Sequence, residues 1–135
     1  MKNIFYLTFL FAMAILPLKA GFASSPHLEI SETGTREIIT IEVPETSPHK
    51  VFILEKPNRL VVDIPAVSDI AGISLPRGYE GKLISGVRGG QFNPHVSRVV
   101  FELKGSVSIE DVKVDSKQEQ LIVAIGSLKK GSTPT

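Results

Sequence analysis

Apolar residues recur at every second position in this chain. Ile39, Ile41 and Val43 alternate with Thr40 and Glu42, and Leu121, Val123 and Ile125 repeat the spacing. A period of two sends alternate side chains to opposite faces of an extended strand, so each segment reads as a half-buried β-strand. Between them lie Val51 to Leu54, Leu60 to Ile64, Leu83 to Val87, Val99 to Leu103 and Val107 to Val114, rich in Val and Ile and bounded by Gly, Pro, Asn or Ser. A first strand around Leu28 to Ile30 makes eight. No ten residues of this region sustain a helical period, which excludes helical bundles and doubly wound folds.

Turn chemistry completes the outline. Glu32 to Thr35 and Ser116 to Gln118 carry the residues of hairpin turns. The apolar parity changes between Ile109 and Val112, so Glu110 and Asp111 predict a bulge or a bend. Pro65 to Gly81, which carries Pro65, Gly72, Pro76, Gly78 and Gly81, is the expected passage from one sheet to the other, with room for a short strand at Ile73 to Leu75. The fold class expected is all-β, a two-sheet β-sandwich of about eight short strands.

The first 23 residues are of another kind. Met1, Lys2 and Asn3 precede an apolar run from Ile4 to Leu18, followed by Gly21, Phe22 and Ala23, the pattern of a secretory signal peptide cleaved after Ala23. At 15 residues, with Thr8 and Pro17 inside it, the run falls short of the ~20 apolar residues of a membrane span. The expected organisation is a signal peptide over 1–23, a β domain over 24–128 and a disordered tail over 129–135, without a membrane span after cleavage. Loss of Lys2 and Lys19 turns the formal charge from +1 to −1. Such a chain lacks the cationic excess that drives nucleic-acid binding. It also has no Cys, which removes thiol chemistry, disulfides and a lipid-attachment site.

Arg59-Leu60-Val61-Val62-Asp63-Ile64 matches Arg98-Val99-Val100-Phe101-Glu102-Leu103 in residue type at every position. Each copy sets Arg and a carboxylate four residues apart on one strand face and three apolar residues on the other. This echo implies an internal pseudo-duplication. If the copies pair antiparallel with Val61 opposite Val100, Arg59 faces Glu102 and Asp63 faces Arg98; the alternative places the copies in different sheets.

The first copy, preceded by Phe52, Leu54, Glu55, Lys56, Pro57 and Asn58, resembles the first signature of the AMIN domain. The second, preceded by Val87, Arg88, Gly90, Gln91 and Phe92, resembles its second signature. The resemblance spans roughly Leu28 to Ile125. It implies a two-sheet β domain of the bacterial envelope, found at the front of periplasmic N-acetylmuramoyl-L-alanine amidases and of type IV pilus secretins. There it binds peptidoglycan and localises the attached protein to the wall or division site. Ten residues follow Ile125, so the expectation is a stand-alone domain, periplasmic and wall-associated. Amidase, divisome or pilus and secretin components are the protein partners it implies. Gly89 and Gly90 stand where the resemblance leads one to expect a single Gly.

Catalysis finds no foothold in the residues. His27, His49 and His95 fall in no zinc or nucleophile spacing, and each of Asp63 and Glu102 has an Arg four residues back as a simpler partner. The expectation is a non-enzyme with no metal and no cofactor. Binding is better supplied. Arg88, Gln91, Phe92, Asn93, His95 and Arg98 crowd together around a Gly pair and a Pro, expected as a loop held by two strands. Arg88 and Arg98 suit the carboxylates of stem peptides. Gln91 and Asn93 suit glycan hydroxyls and N-acetyl groups, and Phe92 either a sugar face or the core. Arg59, Asp63 and Glu102 form the structural part of the motif. A reading from another class is an accessory protein of a pilus or secretin complex, docking by a sheet edge.

Overall fold

Alternation becomes strand throughout the computed structural model of this chain, which describes residues 27–43, 49–67 and 69–128. Eight strands follow one another: β1 (Leu28–Thr33), β2 (Arg36–Glu42), β3 (Lys50–Leu54), β4 (Arg59–Pro65), β5 (Ile84–Asn93), β6 (Val96–Leu103), β7 (Val107–Asp115) and β8 (Gln120–Ser127). They form two antiparallel four-stranded sheets, with orders β1-β2-β8-β7 and β3-β4-β6-β5. The expected signal peptide and tail lie outside the described residues.

The two sheets share one construction. Consecutive strands pair as hairpins, and in each sheet two hairpins join through their second strands, β2 with β8 and β4 with β6. The echoed sequences are therefore the two central strands of the second sheet. Their register sets Val61 against Val100, Arg59 against Glu102 and Asp63 against Arg98, as the antiparallel alternative requires.

The inward halves of the strands make an aliphatic core. Ile39, Ile41, Leu121, Val123 and Ile125 from the first sheet meet Leu60, Val62, Ile64 and Val99 from the second, all fully or almost fully buried. Phe101 alone among them is aromatic; truncating such a residue to Ala typically costs about 3–5 kcal/mol.

The expected bulge is present: the β7–β8 register slips between Ile109 and Asp111, leaving Glu110 as the extra residue. Glu110 reaches over Gly126 of β8 to form an ion pair with Arg36 of β2. Gly34 closes the first hairpin with φ +64°, a conformation that favours glycine. Asp115 Oδ1 holds the last turn by accepting the Lys117 and Gln118 amides at 3.0 and 3.2 Å.

Pro65 to Gly81 does not pass between the sheets. It leaves β4 and returns to β5 in the same sheet, with β6 between them. The chain changes sheet instead between β2 and β3 and at the short connection from β6 to β7. No strand forms at Ile73 to Leu75; a 3-10 turn at Ile70–Gly72 precedes it, and Ile70 and Ile73 enter the core. Proline and glycine content had marked an irregular stretch correctly but carried no information about its destination.

A buried carboxylate ties this stretch to the other sheet. Glu37 follows the inward parity of Ile39 and Ile41 on β2 and is only 2% exposed. Its side chain accepts a hydrogen bond from the Tyr79 hydroxyl and another from the Leu83 amide, at 2.9 Å for the latter. Gly81 packs so closely that a Cβ there would overlap both the Glu37 carboxylate and the Tyr79 ring. Burial, then the Glu37 hydrogen bond and charge, push the Tyr79 phenol well above its ordinary range.

Candidate functional site

The outward halves of the second sheet form the candidate site. Register fixes its rows: Lys50, Phe52 and Leu54 on β3, Arg59, Val61 and Asp63 on β4, Arg98, Val100 and Glu102 on β6, and Gly86, Arg88 and Gly90 on β5. Val61 is 1% exposed despite pointing outward, flanked in register by Phe52 and Val100. This face is apolar at its centre and cationic around it. The outer face of the first sheet is different, bearing Glu29, Glu42, Asp111 and Asp115 in register with mostly small or polar residues.

Arg98 organises the second face. Its Nε and Nη2 donate to the two carboxylate oxygens of Asp63 at 2.8 and 3.0 Å. Its guanidinium lies 3.8 Å from the Phe92 ring centroid and 5.6 Å from that of Phe52, with Lys50 Nζ 5.1 Å from the Phe52 ring. Those distances are within cation–π range. The Asp63 hydrogen bonds outweigh desolvation and raise the Arg98 pKa above its ordinary value, so the group stays charged.

Beside this stack opens a cleft of about 270 Å³, lined from Arg88 to Phe92 along β5 and by Arg98 and Val100 on β6. The two glycines in it have different reasons. A Cβ on Gly89 would overlap the backbone of Ile70 and the side chain of Ile73, so the 3-10 turn packs against the strand only where a side chain is missing. Gly90 faces the opposite way, where a Cβ would meet nothing within 4 Å, and its bareness keeps the cleft open.

Arg88, Gln91, Phe92 and Arg98 thus come together, on a strand and its neighbour and not on a loop; the hairpin turn itself is limited to Pro94 and His95. Phe92 is 57% exposed, which decides against a place in the core. Asn93 is set apart from the cleft. Its Oδ1 accepts the His95 amide at 2.8 Å, closing the hairpin in the way short amide side chains often do.

One of the two expected cross-strand ion pairs forms and the other does not. Asp63 and Arg98 bond, but Arg59 turns back to donate from Nε to the Pro57 carbonyl at 3.2 Å. Glu102 is approached from the other side by Arg88, 3.9 Å away, because Gly86, its register partner on β5, has no side chain to intervene. Phe52 is part of the first signature, but its place on this face is not legible in the sequence: Val51 to Leu54 is apolar throughout, so no alternation tells which of its residues face outward.

The sequence compares with known proteins as follows. N-acetylmuramoyl-L-alanine amidase AmiC of Escherichia coli O6:H1 is 38% identical over 72 residues, which cover 51% of this chain and 17% of the amidase. The chain therefore corresponds to a small part of that curated relative's length. The AMIN domain family matches residues 27–125, from the residue before β1 into β8 and through both echoed strands. On a match of that extent over an eight-stranded sandwich, the chain belongs to the AMIN domain family.

Proposed function

We propose that this protein is a non-catalytic peptidoglycan-binding module that localises to the cell wall, and that it binds through the outer face of the second sheet. The observation that carries the reading is the group formed by Arg88, Gln91, Phe92 and Arg98 around the open floor at Gly90. Guanidinium groups and a half-exposed aromatic ring converge there on a rigid strand pair, and Gln91 completes the lining. The family supports the choice of ligand, since AMIN domains occur in amidases and secretins of the envelope. The relative's name identifies an enzyme acting at the N-acetylmuramoyl-L-alanine linkage, a component of wall polymer. No reaction of its own is assigned to the chain.

The same proposal places the protein in the periplasm. The apolar leader ending in Gly21 and Ala23 supports export, and among the described residues no helix is long and apolar enough to cross a membrane. Intact-mass measurement of the exported form is expected to show a chain beginning at Ser24.

Sedimentation with purified sacculi tests the binding role. The protein is expected to sediment with sacculi alone. The Arg88→Ala/Gln91→Ala variant is expected to remain in solution with a nearly unchanged melting temperature, because exposed substitutions usually shift stability by less than ~0.5 kcal/mol. Unchanged sedimentation of the folded variant moves the binding surface elsewhere. Failure of the unaltered protein to sediment favours an accessory role in a pilus or secretin complex.

A further inference from the structure

Resting on the wall-binding reading, we propose that the cleft recognises a free peptide carboxylate, as stem peptides carry, in preference to the glycan. Arg88 receives the carboxylate, Arg98 is a positioning residue, and Glu102 is a built-in competitor for Arg88.

The two arginines are not equivalent. Arg98 has two donors committed to Asp63 and one face committed to Phe92. It fixes the ring that walls the cleft and has little left for a ligand. Arg88 is 64% exposed in its side chain and meets Glu102 at 3.9 Å, beyond hydrogen-bond range. Its planar fork matches a carboxylate through two parallel hydrogen bonds.

The neighbours of Arg88 make that fork accessible. On a strand the residues two before and two after share its face, and here they are Gly86 and Gly90. Its register partner on β6 is Val100, an apolar floor for the carbon atoms next to a carboxylate. A volume of about 270 Å³ lies just below the roughly 300–1,000 Å³ of sites for drug-sized ligands, which suits one or two small residues and not an extended glycan. Charge points the same way. Lys50, Arg59, Arg88 and Arg98 share this face with two carboxylates, of which Asp63 is already engaged.

Glu102 gives the inference its sharpest consequence. At 3.9 Å it attracts Arg88 without satisfying it, and an arriving carboxylate must compete with that attraction. Removing its charge strengthens carboxylate binding and has no such effect on a neutral sugar.

The test is calorimetric titration of the full chain with three probes: a soluble pentapeptide stem with free carboxylates, the same peptide with its carboxylates converted to amides, and glycan strands stripped of peptide whose exposed lactyl carboxylates are likewise converted to amides. The free acid is expected to bind at least about tenfold more tightly than the amide or the stripped glycan. Arg88→Gln is expected to lower its affinity roughly ten- to a hundredfold. Glu102→Gln is expected to raise it roughly two- to fivefold, the scale of an exposed pair. Melting curves confirm that both variants are folded. Equal binding of acid and amide, tighter binding of stripped glycan, or no gain in Glu102→Gln overturns the inference. If sacculi still sediment the protein in that case, the wall-binding reading stands alone; if they do not, both fall.

Discussion

Arg98 and Asp63 meet across β6 and β4 in a two-pronged ion pair, with 28% and 15% of their side chains exposed. The pair locks the register of the two central strands and holds the guanidinium against Phe92, 3.8 Å from the ring centroid. A partly buried, charge-assisted pair of this kind exceeds an ordinary surface salt bridge. Asp63→Ala and Arg98→Ala are each expected to lower stability by about 1–3 kcal/mol, and the double variant by less than their sum. Arg98→Lys is expected to recover little, since an ammonium supplies neither the fork nor the planar stack. Urea denaturation of the four proteins measures the coupling; additive losses show that the pair contributes nothing.

The parts of this architecture written in local pattern could be read from the sequence. The strands follow from the two-residue period and the bulge at Glu110 from the parity change after Ile109, while the echo of Arg59-to-Ile64 in Arg98-to-Leu103 offered the β4–β6 register as one of two arrangements, between which the structure decides. What depends on distant partners could not. Glu37 looks like any polar position on an alternating strand, and only Tyr79 and Leu83, more than forty residues away, make its burial possible. Arg59 chose the nearby Pro57 carbonyl over the distant Glu102, and Asn93 a turn over the cleft. At the site, residue types identified the arginines and Phe92, but their division of labour came from geometry.

The Glu37–Tyr79 contact makes stability sensitive to alkali. The Tyr79 phenol, ordinarily titrating at 10.0, is pushed upward chiefly by burial and secondarily by its hydrogen bond to Glu37. A group whose folded pKa is raised contributes stability that is complete below its unfolded pKa and is lost as pH rises toward the folded value. In that window the unfolded chain has given up a proton that the folded chain retains. The melting temperature is therefore expected to decline above about pH 10, and Tyr79→Phe to flatten this part of the profile. Below that range Tyr79→Phe is expected to cost about 1–3 kcal/mol, because it leaves the buried carboxylate with one donor fewer. An unchanged alkaline slope in Tyr79→Phe removes Tyr79 as its source.

Gly89 and Gly90 are adjacent, neither has a positive φ, and they are expected to answer substitution in opposite ways. A methyl group at position 89 collides with the Ile70 carbonyl and the Ile73 side chain, and the backbone component cannot swing aside. Gly89→Ala is expected to lose about 1–3 kcal/mol, the usual scale of overpacking, as the 3-10 turn is forced off β5. At position 90 a side chain enters open space on an extended strand that β-branched residues suit. Gly90→Val is expected to match or exceed the unaltered protein in stability by up to about 1 kcal/mol, since replacing glycine also restricts the unfolded chain. Its isopropyl group nevertheless occupies the cleft between Arg88 and Phe92, so sedimentation with sacculi is expected to fall at least about tenfold in affinity, the scale of one charge-assisted contact denied its partner. Thermal melts and sacculus binding on the two variants separate the roles: a Gly90→Val protein that is stable and still binds fully shows that the ligand does not use this cleft.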